Sequence, residues 1–509
     1  MEAGEATDAN PSRPLWGRDA DGATSSVPAE DVLAASGHLD TKRGPSWPRE
    51  LSATLALGLP LIGAQLAQIA INATDTLMMG RLGPAPLGAG GLATTLVFLF
   101  VITGIGITAA VSVMIAQERG ANPHAVRGVR RTVRQGGWIV SAIALVALVV
   151  LWNGQDVLLL LGQDADLALR AEAYFRAAMW AVPFSLWFLV LRAFVSALER
   201  TVPILLVTLG AILANAGLNW ILMFGNLGFP ALGLRGAGIA TVIVNAGMVL
   251  ALGLVIAFDR RMRRYSLLGR FWRPDRERLV ELLRIGLPVT GLLLAEVGAF
   301  AASTLLSGRV GATTLAAHLI ALQITSIAFM VPLGLSQATT IRVGLAFGRG
   351  DPSSVALAGN VSLAAGGVLA VLLASLFVLV PHALVALFLG PNGGDVARLA
   401  AGFLLIAALF KLVDAGQVIL AGALRGLGDT RVPLVAGLVG YWLIGLPTGA
   451  ALAFGWLGEA RGGNGVWLGL TAGLTSVCVL LGWRWWAQMK ALSRGEPVAG
   501  TPLGQAPPS

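Results

Sequence analysis

Three carboxylic acids stand inside long apolar runs of this sequence. Asp75, Glu296 and Asp414 each lie within a stretch that is long and apolar enough to cross a membrane. A charged side chain at the centre of a membrane helix costs roughly 2.5–3.5 kcal/mol on insertion scales, so such acids are functional candidates by default. A proton, a bound cation or a neighbouring cationic side chain stabilises a membrane carboxylate, and switching among these links ion movement to conformation.

Glu296 and Asp414 fall at middle depths of their runs, and Lys411 precedes Asp414 by three residues. That spacing puts Lys411 and Asp414 on one helical face, about 5 Å apart along the axis. Carboxylate oxygens are hard ligands, which makes Glu296 and Asp414 a candidate Na+ site. The ammonium of Lys411 would repel a second cation and take its place, which favours H+. The alternatives are a lysine that only pairs helices or snorkels toward water.

Asp75 lies near the outer end of its run, where a helix-end acid that reaches water is the alternative. Asn215 and Asn219 are one helical turn apart, so their amides point the same way and can serve Asp75 or a bound ion. Ordinary hydrogen bonding between helices is the alternative for these amides. His318 is a candidate proton relay, against a histidine that is hydrogen-bonded only for structure.

The elements that must position these side chains are membrane helices. Of 509 residues, 56% are hydrophobic and 12% are charged, against about 25% charged in soluble domains. Apolar runs of about 20 residues suit helices, whereas barrel strands would alternate over about 10. The net charge of +9 does not indicate nucleic acid, because the arginines lie in short loops between apolar runs. Arginines in such loops orient helices.

We predict an all-α integral membrane protein with twelve transmembrane helices. The spans lie near residues 51–79, 86–115, 137–161, 173–196, 203–224, 237–258, 282–306, 314–345, 357–380, 398–422, 432–454 and 465–489. The loops after spans 2 and 6 are rich in arginine, whereas the loop after span 3 carries Asp156, Asp164 and Asp166. The arginine-rich loops are expected in the cytoplasm, which places both termini there.

The second half of the chain repeats the first. Similar residues coincide after a shift of 228 positions: Pro60 with Pro288, Gly80-Arg81-Leu82-Gly83 with Gly308-Arg309-Val310-Gly311, and Gly120 with Gly348. In this register Glu296 aligns with Gln68, so Gln68 joins Lys411 and His318 as a candidate modulator. Six spans in each half predict two parallel six-helix bundles related by pseudo-two-fold symmetry, with the solute path between them.

The predicted organisation has five parts. They are a disordered cytoplasmic tail (1–47), the first bundle (48–258), a basic cytoplasmic linker (259–281), the second bundle (282–490) and a disordered C-terminal tail (491–509). The tails are polar and lack an apolar period. Glu2, Glu5 and Asp8 occupy the start where a signal peptide would be basic, so the first membrane helix is expected to direct insertion.

Between about residues 51 and 489, the sequence resembles the multidrug and toxic compound extrusion (MATE) family, particularly its NorM-like bacterial branch. The resemblance is carried by Leu59-Pro60, Asp75-Thr76, Gly80-Arg81-Leu82-Gly83, Asn215, Asn219, Gly228-Phe229-Pro230-Ala231-Leu232-Gly233, Gly236-Ala237-Gly238-Ile239-Ala240-Thr241, Glu296, Asp414, Ala421-Gly422-Ala423-Leu424-Arg425-Gly426 and Asp429-Thr430. It implies an antiporter of the bacterial cytoplasmic (inner) membrane that expels amphipathic organic cations while Na+ or H+ runs inward.

The resemblance also implies roles for individual residues. Asp75, with Asn215 and Asn219, would form a site in the first bundle. Glu296 and Asp414 would bind the coupling cation in the second bundle. Lys411 departs from the family pattern, which puts a bare Na+ site in doubt.

Sequence signatures of enzymes are missing, including phosphate-binding loops and metal-ligand clusters. We therefore expect a monomeric secondary transporter that needs no cofactor and whose partners are small cationic amphipathic substrates and the lipid bilayer. Two alternatives stay open. A flippase for lipid-linked saccharides would line its cavity with several cations, for which Arg192, Arg342 and Lys411 are the candidates. A non-transporting membrane scaffold would hold its acids paired and inert.

Overall fold

The computed structural model describes residues 46–267, 269, 272–390, 393–456 and 458–498. The predicted N-terminal tail lies outside these ranges except for residues 46 and 47, and the predicted C-terminal tail except for residues 491–498. Within the described ranges every regular element is a helix, which confirms the predicted all-α class.

The long helices, in chain order, are α1 (Trp47–Arg81), α2 (Pro84–Ala121), α3 (Val126–Trp152), α5 (Ala165–Ala178), α6 (Ala181–Ala197), α7 (Val202–Phe224), α8 (Gly233–Phe258), α10 (Arg276–Val310), α11 (Ala312–Gly348), α12 (Pro352–Leu379), α14 (Gly394–Gly426), α15 (Arg431–Ala453) and α16 (Gly462–Ser493). The short helices between them are α4 (Gly154–Leu160), α9 (Arg260–Arg263) and α13 (Pro381–Leu389). In the described chain eleven helices are long and apolar enough to cross a membrane, and the number is twelve if α5 and α6, bent by 50°, are counted together as one span.

The predicted bounds of the third span, 137–161, are wrong. Helix α3 begins at Val126 and ends at Trp152, and α4 follows as a separate helix. The first turns of α3 are rich in arginine, a composition typical of loops. Here the arginines are held by residues of the linker between the two halves (259–281). Arg130 Nε donates to the backbone oxygen of Tyr265 at 2.6 Å, and Arg131 pairs with Asp275.

The sequence repeat is also a structural repeat. Helices α1 and α10 each have 35 residues and contain Pro60 and Pro288 at matching positions. The next helix in each half, α2 and α11, follows a glycine with positive φ, +115° at Gly83 and +155° at Gly311. Glycine adopts this backbone region without a Cβ penalty. The repeated motif therefore sets the same sharp turn between the first two helices of each half.

The halves pack together through α1, α2, α10 and α11. Glycines allow this close approach. A Cβ on Gly334 would lie 2.7 Å from the backbone of Ile62, and a Cβ on Gly106 would lie 2.6 Å from the backbone nitrogen of Thr290. At one end of the bundle α1 begins and α2 and α11 end. We call this the basic end. The contacts between halves described below lie from mid-depth to this end.

Candidate ion-coupling and substrate sites

A buried ion pair lies at the centre of the second half. Lys411 and Asp414 are one turn apart on α14, and Lys411 Nζ donates to Asp414 Oδ2 at 2.6 Å. Their side chains are only 2% and 3% exposed. The ammonium also lies 5.4 Å from the ring of Phe329 and 5.3 Å from that of Phe410. These rings stabilise the cation through their faces and exclude water from the pair.

Glu296 stands on α10 within electrostatic reach of Asp414, Lys411 and Arg425. Its neighbour Ala295 accepts a hydrogen bond of 3.0 Å from Trp442 Nε1, which fixes α15 beside it. The structure thus brings together the two acids and the lysine that the sequence singled out. The site holds two carboxylates, and the ammonium of the protein itself already neutralises one of them.

Two further polar groups belong to this region and were missed from the sequence. Tyr441, on α15, is buried within electrostatic reach of both Glu296 and Asp414. Gln417 is buried one turn beyond Asp414. Within the described chain, the Tyr441 hydroxyl and Gln417 Oε1 have no hydrogen-bond partner. Burying an unpaired polar group costs about 1–3 kcal/mol, so these two atoms are positions where a hydrogen-bonding partner would be stabilising. The spacing of Gln417 from Asp414 was the only available sequence signal.

In the first half, Asp75 is bound by the two predicted asparagines. Its Oδ1 accepts from Asn215 Nδ2 at 2.9 Å and from Asn219 Nδ2 at 2.5 Å. Both asparagines are fully buried on α7, and Asp75 is half-buried. In the described ranges no cationic side chain pairs with Asp75. A carboxylate held by neutral amides keeps its charge available for a cation or a proton.

The second half does not reproduce this arrangement. Val202-Pro203 opens α7 as Val432-Pro433 opens α15, and the same shift places Gly445 and Gly449 where Asn215 and Asn219 stand. Gly445 and Gly449 pack closely on the α16 glycines Gly473 and Gly469. Helix packing has replaced the amides. Both halves place an acid on their first helix, Asp75 on α1 and Glu296 on α10, but the second half adds Asp414 from α14 where the first half uses the amides of α7.

His318 and Gln68, the other candidate modulators, form no hydrogen bond with Lys411 or Asp414 among the described residues, although the His318 ring contacts Trp467, which in turn contacts Phe410 beside Lys411. His318 is fully buried, and its Nε2 lies 3.3 Å from Thr304 Oγ1 and 3.4 Å from Ser303 Oγ. Its Nδ1 has no partner among the described residues. Gln68 is half-buried on α1, about two helical turns before Asp75.

Of the three cations considered for a flippase, two are paired with acids. Lys411 binds Asp414, and Arg342 donates to both carboxylate oxygens of Glu50, at 2.8 and 2.5 Å. Arg342 also donates to Glu199 at 2.8 Å, so this arginine of α11 ties the second half to the first at the basic end.

The Na+ site proposed at Glu296 and Asp414 fits the donor set poorly. A sodium ion needs several free oxygen ligands, and Lys411 already takes one oxygen of Asp414. In the part of the chain that the structure describes, no group of three His, Cys, Asp or Glu side chains is placed to hold a metal ion.

Comparisons with known proteins agree with this architecture. The MatE family model matches residues 60–221 and again 288–450, so it covers both repeats. A probable multidrug resistance protein NorM from Mesorhizobium japonicum is 46% identical over 442 residues, 86% of this chain and 94% of the relative. The protein of the same name from Pseudomonas aeruginosa is 41% identical over 436 residues, 84% of this chain and 88% of the relative.

Solved structures show the same fold. The eukaryotic MATE transporter AtDTX14 superposes with a TM-score of 0.75 at 23% identity, covering 88% of this chain and 98% of that one. A multidrug resistance MATE family transporter in an outward-facing conformation gives 0.78 at 19% identity, with coverage of 87% and 96%. With the family match over both halves and the relatives above 40% identity, the conclusion is that this chain belongs to the MatE family, and to its NorM-like branch.

Proposed function

We propose that this protein is an antiporter that exports amphipathic organic cations in exchange for H+, by alternating access between its halves. The observation that carries the proposal is the buried Lys411–Asp414 pair beside Glu296. The NorM relatives are named multidrug resistance proteins, which supports the substrate class.

Charge balance explains why a proton and a substrate cation would exclude each other. Glu296 and Asp414 supply two negative charges, and Lys411 neutralises one. Arg425 lies within electrostatic reach of Glu296, but among the described residues it forms no salt bridge with that carboxylate and so leaves it unpaired. In a dry site the second charge is neutralised by a proton or by an organic cation, since an excess charge of either sign is costly. Mutually exclusive binding is the condition for antiport. The unpaired Tyr441 hydroxyl and Gln417 Oε1 suit both states, because one donates to a carboxylate and the other accepts from a carboxylic acid.

Asp75 supplies a second acidic site in the first half. Its carboxylate is held by Asn215 and Asn219 and, among the described residues, faces no cation. A scaffold would be expected to neutralise this acid, so the arrangement favours transport. The acid pairing of Arg342 and Lys411 leaves few free cations for the phosphates of a lipid-linked saccharide, which disfavours the flippase.

The charge distribution supports an orientation in the bacterial cytoplasmic membrane with the basic end in the cytoplasm and both termini inside. Cysteines introduced singly at His124 and Asn153, both exposed, test the orientation in a Cys478→Ala background. The first should be labelled only from the cytoplasmic side and the second only from outside. The reverse labelling pattern would contradict the orientation.

The function itself is tested by ethidium efflux from energised membrane vesicles. Glu296→Gln and Asp414→Asn should each abolish efflux at normal membrane expression. Asp395→Asn is the matched control, because Asp395 lies on the same helix as Asp414 but is 76% exposed and pairs only at the surface. Normal efflux by both site variants would refute the assignment.

A further inference from the structure

Arg192 carries a charge that the proposed cation export does not use. It stands on α6, where the halves meet, and its Nη2 donates to Gln65 Oε1 at 2.7 Å and to Gln337 Oε1 at 2.9 Å. Gln65 belongs to α1 in the first half and Gln337 to α11 in the second. Both partners are neutral amides, and no acid of the described chain forms a salt bridge with this guanidinium.

An arginine in this state is costly. A buried charge destabilises a protein unless it is paired, and neutral amide oxygens offset only part of the loss of hydration. Arginine has five N–H donors, of which the two glutamines engage only those of Nη2. The side chain is half-buried, so part of its surface stays accessible at the interface between the halves. A guanidinium with free donors matches carboxylate and phosphate groups, often through two parallel hydrogen bonds.

A polar stripe leads from Arg192 to the acid of the first half. Gln65, Gln68, Asn72 and Asp75 follow one another on α1 at spacings of three and four residues, which places them on one helical face. The rise from Gln65 to Asp75 is about 15 Å along the axis. The amides between them hydrogen-bond groups of either charge. The stripe thus has a carboxylate at one end and a guanidinium at the other.

We propose that Arg192 is an anion subsite, which binds the carboxylate of a zwitterionic amphipathic substrate whose ammonium lies at Asp75. The inference rests on the proposed export function and assigns a residue to the acidic group of the substrate. Glutamines Gln65 and Gln337 position the guanidinium, and one of them belongs to each half. Separation of the halves at the basic end would remove Gln337 from Arg192, so occupancy of the subsite responds to conformation.

The test compares two fluorescent ligands that differ by one charge: a piperazinyl quinolone carboxylic acid and its methyl ester. Their affinities for the purified full-length protein are measured by fluorescence anisotropy. The native protein should bind the acid at least about tenfold more tightly than the ester, a ratio that corresponds to about 1.4 kcal/mol. Arg192→Met should bring the ratio close to one. Arg192→Lys keeps the positive charge but loses the planar guanidinium that can form two parallel hydrogen bonds, so it should give an intermediate ratio.

Arg200→Met is the matched control. Arg200 is an exposed arginine just beyond the end of α6, and its loss removes the same charge without touching either glutamine. This variant should keep the native ratio. Equal affinities of the native protein for acid and ester, or a native ratio in Arg192→Met, would overturn the subsite. If Arg192→Met misfolds, the acid-to-ester affinity ratios of the native protein and of Arg192→Lys test the subsite: equal ratios in these two proteins would overturn it.

Two further measurements distinguish this subsite from a site for a free inorganic anion and from a failure of the proposed export function. Replacing chloride by gluconate should preserve the preference for the acid. Equal binding of acid and ester in gluconate, with ethidium binding that depends on chloride, would assign Arg192 to a free inorganic anion and contradict the proposal. Ethidium efflux by the native protein distinguishes the two hypotheses: efflux without any acid preference refutes the subsite alone, whereas absence of efflux refutes the export function.

Discussion

Gly120 and Gly348, equivalent residues of the two repeats, touch each other at the basic end. A Cβ on Gly120 would lie 3.0 Å from the Cα of Gly348 and 2.2 Å from the backbone oxygen of Leu345. A Cβ on Gly348 would lie 2.0 Å from the backbone oxygen of Gln117. Gln117 Nε2 also donates to the backbone oxygen of Gly426 at 2.9 Å. The halves are therefore closed against each other at this end, at backbone distance.

Gly120→Ala should open this contact. The added methyl group has no room beside a backbone atom, and overpacking of this kind costs about 1–3 kcal/mol. We expect a lower unfolding temperature in detergent, followed by intrinsic tryptophan fluorescence, and slower efflux. Gly91→Ala is the control on the same helix, because its Cβ would meet nothing within 4 Å. Equal unfolding temperatures for the two variants would show that the close approach does not stabilise this state.

Arg342 should act as an ionic latch at the same end. Arg342→Gln leaves the carboxylates of Glu50 and Glu199 without their cation, and Glu50 is only 13% exposed. Because these ion pairs are partly exposed, removing Arg342 should destabilise the contact between the halves by about 1–3 kcal/mol, between the values for surface and buried ion pairs. Spin labels at His124 and Arg349, one in each half and both exposed, should report a longer and broader distance distribution.

The charge swap Glu50→Arg with Arg342→Glu is the control for the latch, since it restores opposite charges between α1 and α11. It should recover part of the native distance distribution. If Arg342→Gln leaves the distribution unchanged, the ion pair does not hold the halves together.

Asn219 should matter more to transport than an ordinary interhelical hydrogen bond. Asn219→Ala removes the shorter of the two bonds to Asp75, 2.5 Å against 2.9 Å from Asn215. Bonds to charged groups contribute about 1.5–3 kcal/mol, so efflux should fall about tenfold or more. Asn245→Ala is the control, because that amide only bonds Thr241 and Ser185 within its own half. Similar small losses in both variants would support ordinary helix pairing.

Much of this fold was predictable because the membrane imposes it. Apolar runs and the repeat gave the all-helical class, and the one-turn spacing of Asn215 and Asn219 correctly implied amides that point the same way. The bounds of the third span failed because arginines at a helix end resemble a loop when their partners are unknown. Arg130 is held by a backbone oxygen far along the chain, which no local pattern encodes.

In the candidate sites, too, some contacts could be predicted from the sequence and others could not. The contact between Lys411 and Asp414 follows from helical spacing, since residues three apart share a face. The bridge from Arg192 to Gln65 and Gln337 joins three helices from two halves, so it depends on tertiary packing alone. Tyr441 lies in a π-helical stretch, Leu438–Gly445, where the usual helical periodicity no longer gives the facing direction.

We propose that H+ drives export because Lys411 holds the place that a sodium ion would need. The most direct test is ethidium transport in proteoliposomes under one gradient at a time, for the native protein and for Lys411→Met. The account predicts that a pH gradient without Na+ drives transport by the native protein, that a Na+ gradient without a pH difference does not, and that Lys411→Met changes this ion preference or its pH dependence. Native transport that requires Na+ and ignores the pH gradient would contradict it.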